Sequence, residues 1–210
     1  MTVLAVIAKA PLAGASKTRL SPPLTLEQAA SLAEAALRDT LAAVLAARGA
    51  ARRVLILEGP PGPWLPAGLE VIPQRGAGLD ERLANAFVDL SEPALIVGMD
   101  TPQVSPALLD RGLRLIEHTP AVLAPASDGG YWAIGLRRPE PRALRGVPMS
   151  SAHTLAAQRR RLEEFGLASA ELPELRDVDN YGDAIEVAQQ APASRFADAL
   201  AALSPLPEVA

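Results

Sequence analysis

The sequence predicts an α/β protein: a three-layer α/β/α sandwich around a mainly parallel sheet. Short apolar runs of strand length alternate along the chain with longer segments whose apolar residues recur at helical spacing. Those runs are continuously apolar rather than alternating, as strands covered on both faces must be. The chain's 210 residues, 49% hydrophobic and 21% charged, suffice for one well-filled domain. We divide it into a main domain over 1–192 and a helical tail over 193–210.

The first strand is the apolar run 2–7. Thr25 and Gln28 form a capping box for a helix whose apolar positions, from Leu26 through Leu37 and Leu41 to Leu45, recur until Gly49. Residues 53–57 are a second strand, ended by the surface loop Gly59-Pro60-Pro61-Gly62-Pro63. A short third strand, 69–72, precedes a helix from Leu79 to Leu90 with Leu79, Leu83, Ala86, Phe87 and Leu90 on one face. The fourth strand covers 94–98, and Ser105-Pro106 opens a helix with an N-cap and a first-turn proline. Two further strands, 121–126 and 131–136, flank Ser127-Asp128-Gly129-Gly130. Helices are expected over 151–165, where Arg159-Arg160-Arg161 reads as a solvated face, over 184–190, and in the alanine-rich tail.

Composition excludes several functions. A formal net charge of −4 argues against a protein that grips a nucleic-acid backbone. No apolar run reaches the length of a membrane span, and no leader pattern opens the chain, so a cytoplasmic location is the default expectation. With no cysteine, disulfides, thiolate metal sites and a cysteine nucleophile are excluded, and any metal is bound by oxygen. His118 and His153 stand apart from the carboxylate loops, and no Ser, His and Asp arrangement suggests a hydrolase.

The opening stretch AKAPLAGASKTRLSP, residues 8–22, carries both lysines of the chain, Lys9 and Lys17. Lys17-Thr18 imitates the end of a Walker A loop, but Ser16 stands where its second glycine must be, and Ala10 or Pro11 where its first should fall. Arginine supplies the other cations, so two lysines beside a strand end point to contact with a compact anion such as a phosphate oxygen. Carboxylates reach the same sheet edge from two loops, Gly98-Met99-Asp100-Thr101-Pro102 and Asp177-Val178-Asp179. Asp100 with Asp179 makes a hard oxygen site suited to Mg²⁺, completed by substrate phosphates and water. The plainer reading makes Asp100 a turn former and Asp177, Asp179 and Asp183 helix caps. Asp128-Gly129-Gly130-Tyr131-Trp132 reads as a ligand-approach loop or a tight hairpin. Gln74-Arg75-Gly76-Ala77-Gly78 reads as a turn or a base-recognition loop.

Together these motifs resemble the nucleotide-diphospho-sugar transferase superfamily and its GT-A fold. The nearest likeness is a bacterial glycosyltransferase-like family of unknown function, related to phospholactate and molybdenum cofactor guanylyltransferases. The resemblance runs from about Val3 to Val187. It rests on Lys9-Ala10-Pro11, Gly14, Lys17-Thr18-Arg19-Leu20, Gln74 with Leu79 and Arg82, Gly98 to Pro102, Pro125 to Tyr131, and Asp177 to Asp179. It implies a nucleotide site formed by Lys9, Pro11, Gly14, Lys17, Thr18, Arg19, Gln74, Gly78, Arg82 and Asp100. It implies catalytic roles for Lys17, Arg19, Asp100 and Asp128, and an acceptor side of Asp128, Gly129, Gly130, Tyr131 and Ser150. Mg²⁺ or Mn²⁺ would sit on Asp100 with Asp179, or with Asp177 in its place. Two positions depart from the pattern: Asp80 stands where a glycine is expected, and Met149 where an aromatic residue precedes Ser150.

The expected activity is transfer from a nucleotide-activated donor to a small-molecule acceptor, by a protein without nucleic-acid or membrane partners that forms a homodimer or acts alone. The DGGY motif at 128–131 tips the sequence reading narrowly toward glycosyl transfer from a sugar nucleotide. The single Asp before Thr-Pro and the Lys-Thr-Arg loop favour the alternative, nucleotidyl transfer from a nucleoside triphosphate to a small phosphorylated acceptor. A nucleotide-binding module without catalysis is the reading from another class.

Overall fold

The computed structural model describes residues 2–203. Its sheet has seven strands: β1 (Val3–Lys9), β2 (Arg52–Glu58), β3 (Glu70–Pro73), β4 (Ala94–Val97), β5 (Ala121–Pro125), β6 (Tyr131–Leu136) and β7 (Ser169–Glu171). They lie in the order β3-β2-β1-β4-β6-β5-β7. All run parallel except β6, which pairs antiparallel with both β4 and β5. The order reverses direction at β1, between β2 and β4, and such switch points open crevices beyond the strands' carboxyl ends.

Side-chain alternation along the strands divides the interior. Leu4, Val6, Leu55, Leu57, Leu95 and Val97 face α1 (Leu26–Ala46) and α3 (Pro106–His118). Val3, Ala5, Val54, Ile56 and Ile96 face α2 (Leu79–Leu90) and α4 (Thr154–Glu164). The result is the expected three-layer sandwich. Helix α1 is buried on a second side too: Ala29, Leu32 and Ala36 meet Phe196 and Leu200 of α6 (Arg195–Leu203) and Val187 of α5 (Tyr181–Gln190). Full burial of a side chain such as Phe196 contributes about 1.5–3 kcal/mol. Residues 204–210 of the expected tail lie outside the described residues.

The start signals act as expected. Gln28 N donates to Thr25 Oγ1 at 3.2 Å while Thr25 N donates to Gln28 Oε1 at 2.8 Å. Ser105 caps α3 through Leu108 N at 3.2 Å, with Pro106 in the first turn. Residues 127–130 join β5 and β6 as a hairpin. Strand β7 is unanticipated, because its three residues, Ser169, Ala170 and Glu171, form no apolar run, are exposed or half-exposed, and pair only with β5. No described helix is long and apolar enough to cross a membrane.

Candidate functional site

A cleft of about 680 Å³ opens beyond the carboxyl ends of β1 and β4. Lys9, Arg19, Gln74, Arg82, Asp100, Asp128, Gly130, Tyr131, Ser150, Asp177 and Asp179 line it. A smaller cavity of about 220 Å³ shares Lys9, Arg19, Asp100 and Asp179, and adds Lys17 and Thr18. Pro11, Gly14, Gly78 and Gly129 line neither.

The opening loop closes on itself. Ser16, 5% exposed, donates its hydroxyl to Ala10 O at 2.9 Å, and the backbone N–H groups of Ala15 and Ser16 both reach Leu12 O at 3.1 Å. Gly14 turns the chain at φ +74. Thus the residue that breaks the Walker A pattern is the one that ties the loop. Lys17 then takes the left-handed conformation at φ +52, at a cost of about 1 kcal/mol or more. That turn aims its side chain inward: Nζ lies 2.8 Å from Asp100 Oδ2 and donates to Val178 O. Two residues on, Arg19 Nη1 meets Asp179 Oδ2 at 2.6 Å.

Asp100 leaves the end of β4, and the residues around 172–180 are stitched alongside. Val178 N donates to Asp100 O at 3.0 Å, Leu175 N to Pro125 O at 3.1 Å, and Gln103 Nε2 to Arg176 O at 2.5 Å. This crossing segment delivers Asp177 and Asp179. Of the three aspartates read as caps only Asp183 acts as one: it forms a capping box with Asn180, the N-cap of α5, by exchange of side-chain and backbone bonds. Burial pushes the Asp177 carboxyl up to about 6, helped by Asp128 and Asp100 and opposed by Lys17. Asp100 Oδ1 is buried without a partner, as is the hydroxyl of Thr101, a cleft residue that lies in the Gly98–Pro102 motif but has no role assigned there.

This orphaned oxygen, among carboxylates that repel one another, suits a divalent cation. Among the described residues no group of three or more acidic or imidazole side chains is assembled to hold one unaided. A cation here would therefore draw further ligands from phosphate and water.

Glu58 belongs to no motif, because the sequence reading leaves it between the strand 53–57 and the loop at Gly59, whereas it ends β2. It pairs with Arg82 and, at 3.4 Å, with Lys9, and these cations hold its carboxyl below the usual range despite partial burial. The clue was a charged residue ending a buried strand at its carboxyl end. Gln74 donates to Ala8 O at 2.7 Å and Ile56 O at 3.1 Å, so its amide bridges the ends of β1 and β2. Gly78 is the N-cap residue of α2.

The opposite wall is built through backbone. Gly129, at φ +87, lies so close to the 148–153 segment that an added Cβ would stand 2.2 Å from Ala152 O. Leu155 N donates to Gly129 O at 2.9 Å. Asp128 Oδ1 accepts from Gly130 N at 2.7 Å, which sets the turn. Tyr131 presents its ring to the cleft, but its hydroxyl donates to Gln158 Oε1 at 3.3 Å; burial, then the charge of Asp80, push its ionisation well above the usual phenol range. Gln158 is fully buried and donates to Ala143 O at 2.8 Å. Asp80 has its own reason for replacing glycine: its Oδ2 accepts from Gly146 N at 2.8 Å. Met149 lies 3.8 Å from the Tyr131 hydroxyl.

Similarity to known proteins agrees with this architecture. A 2-phospho-L-lactate guanylyltransferase of Methanocaldococcus infernus is 34% identical over 124 residues, which cover 58% of this chain and 56% of that protein. The match thus spans little more than half of the relative's length. A candidate nucleotide-diphospho-sugar transferase from Desulfovibrio desulfuricans G20 superposes with a TM-score of 0.85 at 24% identity, over 96% of this chain and 94% of that one. A Mycobacterium tuberculosis H37Rv protein solved in complex with manganese aligns with a TM-score of 0.52 at 19% identity, over 89% and 97% of the two chains. The fold is therefore that of the nucleotide-diphospho-sugar transferases, GT-A-like. Residues 30–151, more than half of the chain, match the bacterial family described as an uncharacterized protein conserved in bacteria (DUF2064), and the chain belongs to that family.

Proposed function

We propose that the chain is a metal-dependent nucleotidyltransferase. It binds a nucleoside triphosphate and a small phosphorylated acceptor. An acceptor phosphate oxygen attacks the α-phosphorus, the bond from that phosphorus to the α–β bridging oxygen breaks, and pyrophosphate leaves with the electron pair. The observation that carries this reading is the convergence of Lys9, Lys17 and Arg19 with Asp100 and Asp179 beyond the β1 and β4 strand ends. Such chemistry asks little covalent work of the protein: it positions two substrates and steadies developing charge. The guanylyltransferase relative supports nucleotidyl over glycosyl transfer, against the narrow preference from the DGGY motif.

In this reading the lysines and Arg19 hold the triphosphate's oxygens, while the 128–131 turn and Ser150 orient the acceptor. A bound Mg²⁺ or Mn²⁺ would be held by Asp100 with Asp179 or Asp177, and would supply further neutralisation of phosphate charge. Asp128 is assigned a supporting role beside the attacking oxygen.

The test combines thermal unfolding and turnover. GTP, ATP, CTP, UTP and sugar nucleotides are each added with and without Mg²⁺ or Mn²⁺, since a ligand of the native state raises its melting temperature. Pyrophosphate release is then measured with phosphorylated hydroxy acids as acceptors. Stabilisation by a triphosphate and release of pyrophosphate are expected. Stabilisation by sugar nucleotides alone would overturn this reading in favour of glycosyl transfer.

A further inference from the structure

We infer that Lys17, paired with Asp100, competes with a divalent cation for that carboxylate, with Arg19 doing the same at Asp179, so that the site takes a metal–polyphosphate chelate and resists free metal. The inference rests on the reading that metal and polyphosphate share this cleft. Lys17 Nζ stands 2.8 Å from Asp100 Oδ2, and only 10% of the Lys17 side chain is exposed. Arg19 Nη1 stands 2.6 Å from Asp179 Oδ2. The two carboxylates expected to ligate metal are thus already neutralised by the two cations expected to bind phosphate.

A free cation approaching Asp100 would have to share an oxygen environment with a nearly buried ammonium, and close like charges are strongly unfavourable where water is scarce. Nor does the chain offer a full set of ligands, since no group of three or more acidic or imidazole side chains is assembled among the described residues. A polyphosphate changes both terms at once. Its oxygens give Lys17 and Arg19 new partners, which releases Asp100 and Asp179, and they complete the metal's coordination. Metal and polyphosphate then raise each other's affinity, as reciprocal coupling demands.

The chain's geometry favours the exchange over a fixed bond. Lys17 sits in a left-handed conformation at φ +52 inside a loop tied by Ser16, so its anchor is fixed while its side chain spans two partners, Asp100 and the Val178 carbonyl. Lys9 provides the internal control: it also lines the cleft, but its ion pair is with Glu58.

The experiment titrates Mn²⁺ alone against the full chain and reads free Mn²⁺ by electron paramagnetic resonance, so neither turnover nor nucleotide is involved. Lys17→Met is expected to bind Mn²⁺ at least about tenfold more tightly than wild type, and adding Asp100→Asn to it should erase the gain. Lys9→Met should change affinity less than about threefold, because it alters the field but frees no expected ligand. Equal gains in Lys9→Met and Lys17→Met, or no gain in Lys17→Met, would overturn the inference. Should Lys17→Met not fold, Arg19→Gln decides, since that side chain is 70% exposed: tighter Mn²⁺ binding supports the competition, and unchanged binding overturns it. Absence of triphosphate binding to the wild-type chain would instead count against the proposed nucleotidyl transfer, without altering the metal titration.

Discussion

The two walls of the cleft are held by different kinds of contact. The opening-loop wall is tied to the rest by charge: Lys17 to Asp100, Arg19 to Asp179, Lys9 to Glu58. The wall formed by the 127–130 turn and the 148–154 segment is tied largely by backbone, through the Leu155 N to Gly129 O bond and the close approach of Gly129 to Ala152. Charges of the protein can be traded for charges of a ligand. Backbone packing has no such substitute, so the first wall is suited to exchange partners and the second to stay fixed.

Substitutions that separate these behaviours test the comparison. The largest effect is expected from Asp100→Asn: pyrophosphate release should fall by about 10³ or more, equivalent to about 4 kcal/mol of transition-state stabilisation, with little change in melting temperature. Activity within tenfold of wild type would remove Asp100 from the metal and phosphate chemistry. Gly129→Ala should do the reverse and lower stability by about 2–4 kcal/mol, through positive φ and the collision with Ala152 O. Urea unfolding reads it, and a loss below about 1 kcal/mol would show that the fixed wall can yield.

Gln158→Leu should cost about 1–3 kcal/mol, because it leaves the Tyr131 hydroxyl and the Ala143 carbonyl without their buried partner. Its kinetic mark would be a higher KM for acceptor with the KM for triphosphate unchanged, and the opposite split would place Tyr131 on the wrong substrate. The smallest change belongs to Arg159→Ala. Its 2.7 Å pair with Glu171 is solvent-exposed on both sides, so stability should move by less than about 0.5 kcal/mol and turnover not at all.

Much of the fold is legible because buried strands and capped helices announce themselves locally. The run before Lys9, the Thr25–Gln28 box and the Ser105-Pro106 start each depend on neighbours a few residues away. Strand β7 does not, since Ser169–Glu171 becomes a strand only because β5 offers an edge. The arginine run also divides: Arg161 bonds the carbonyls of Arg142 and Arg145, a role no local pattern shows. In the cleft, the motif loops come together on one sheet edge, but the pairing between them is not written in any motif. Arg19 and Asp179 are 160 residues apart, and their contact follows from how the crossing segment docks against β4 and β5. The capping ambiguity at 177–183 was resolvable in principle, because Asn180 with an acidic residue three positions later is itself a box.

The scarcity of lysine turns the opening loop into its own reporter. The chain's side-chain amines are Lys9 and Lys17 alone, both lining the cleft or its side cavity, with side chains 54% and 10% exposed. An amine-selective reagent such as formaldehyde with a borohydride should therefore modify Lys9 readily and Lys17 slowly. Peptide mass spectrometry of those two positions, with the N-terminal amine as reference, would read occupancy of the cleft without any engineered label.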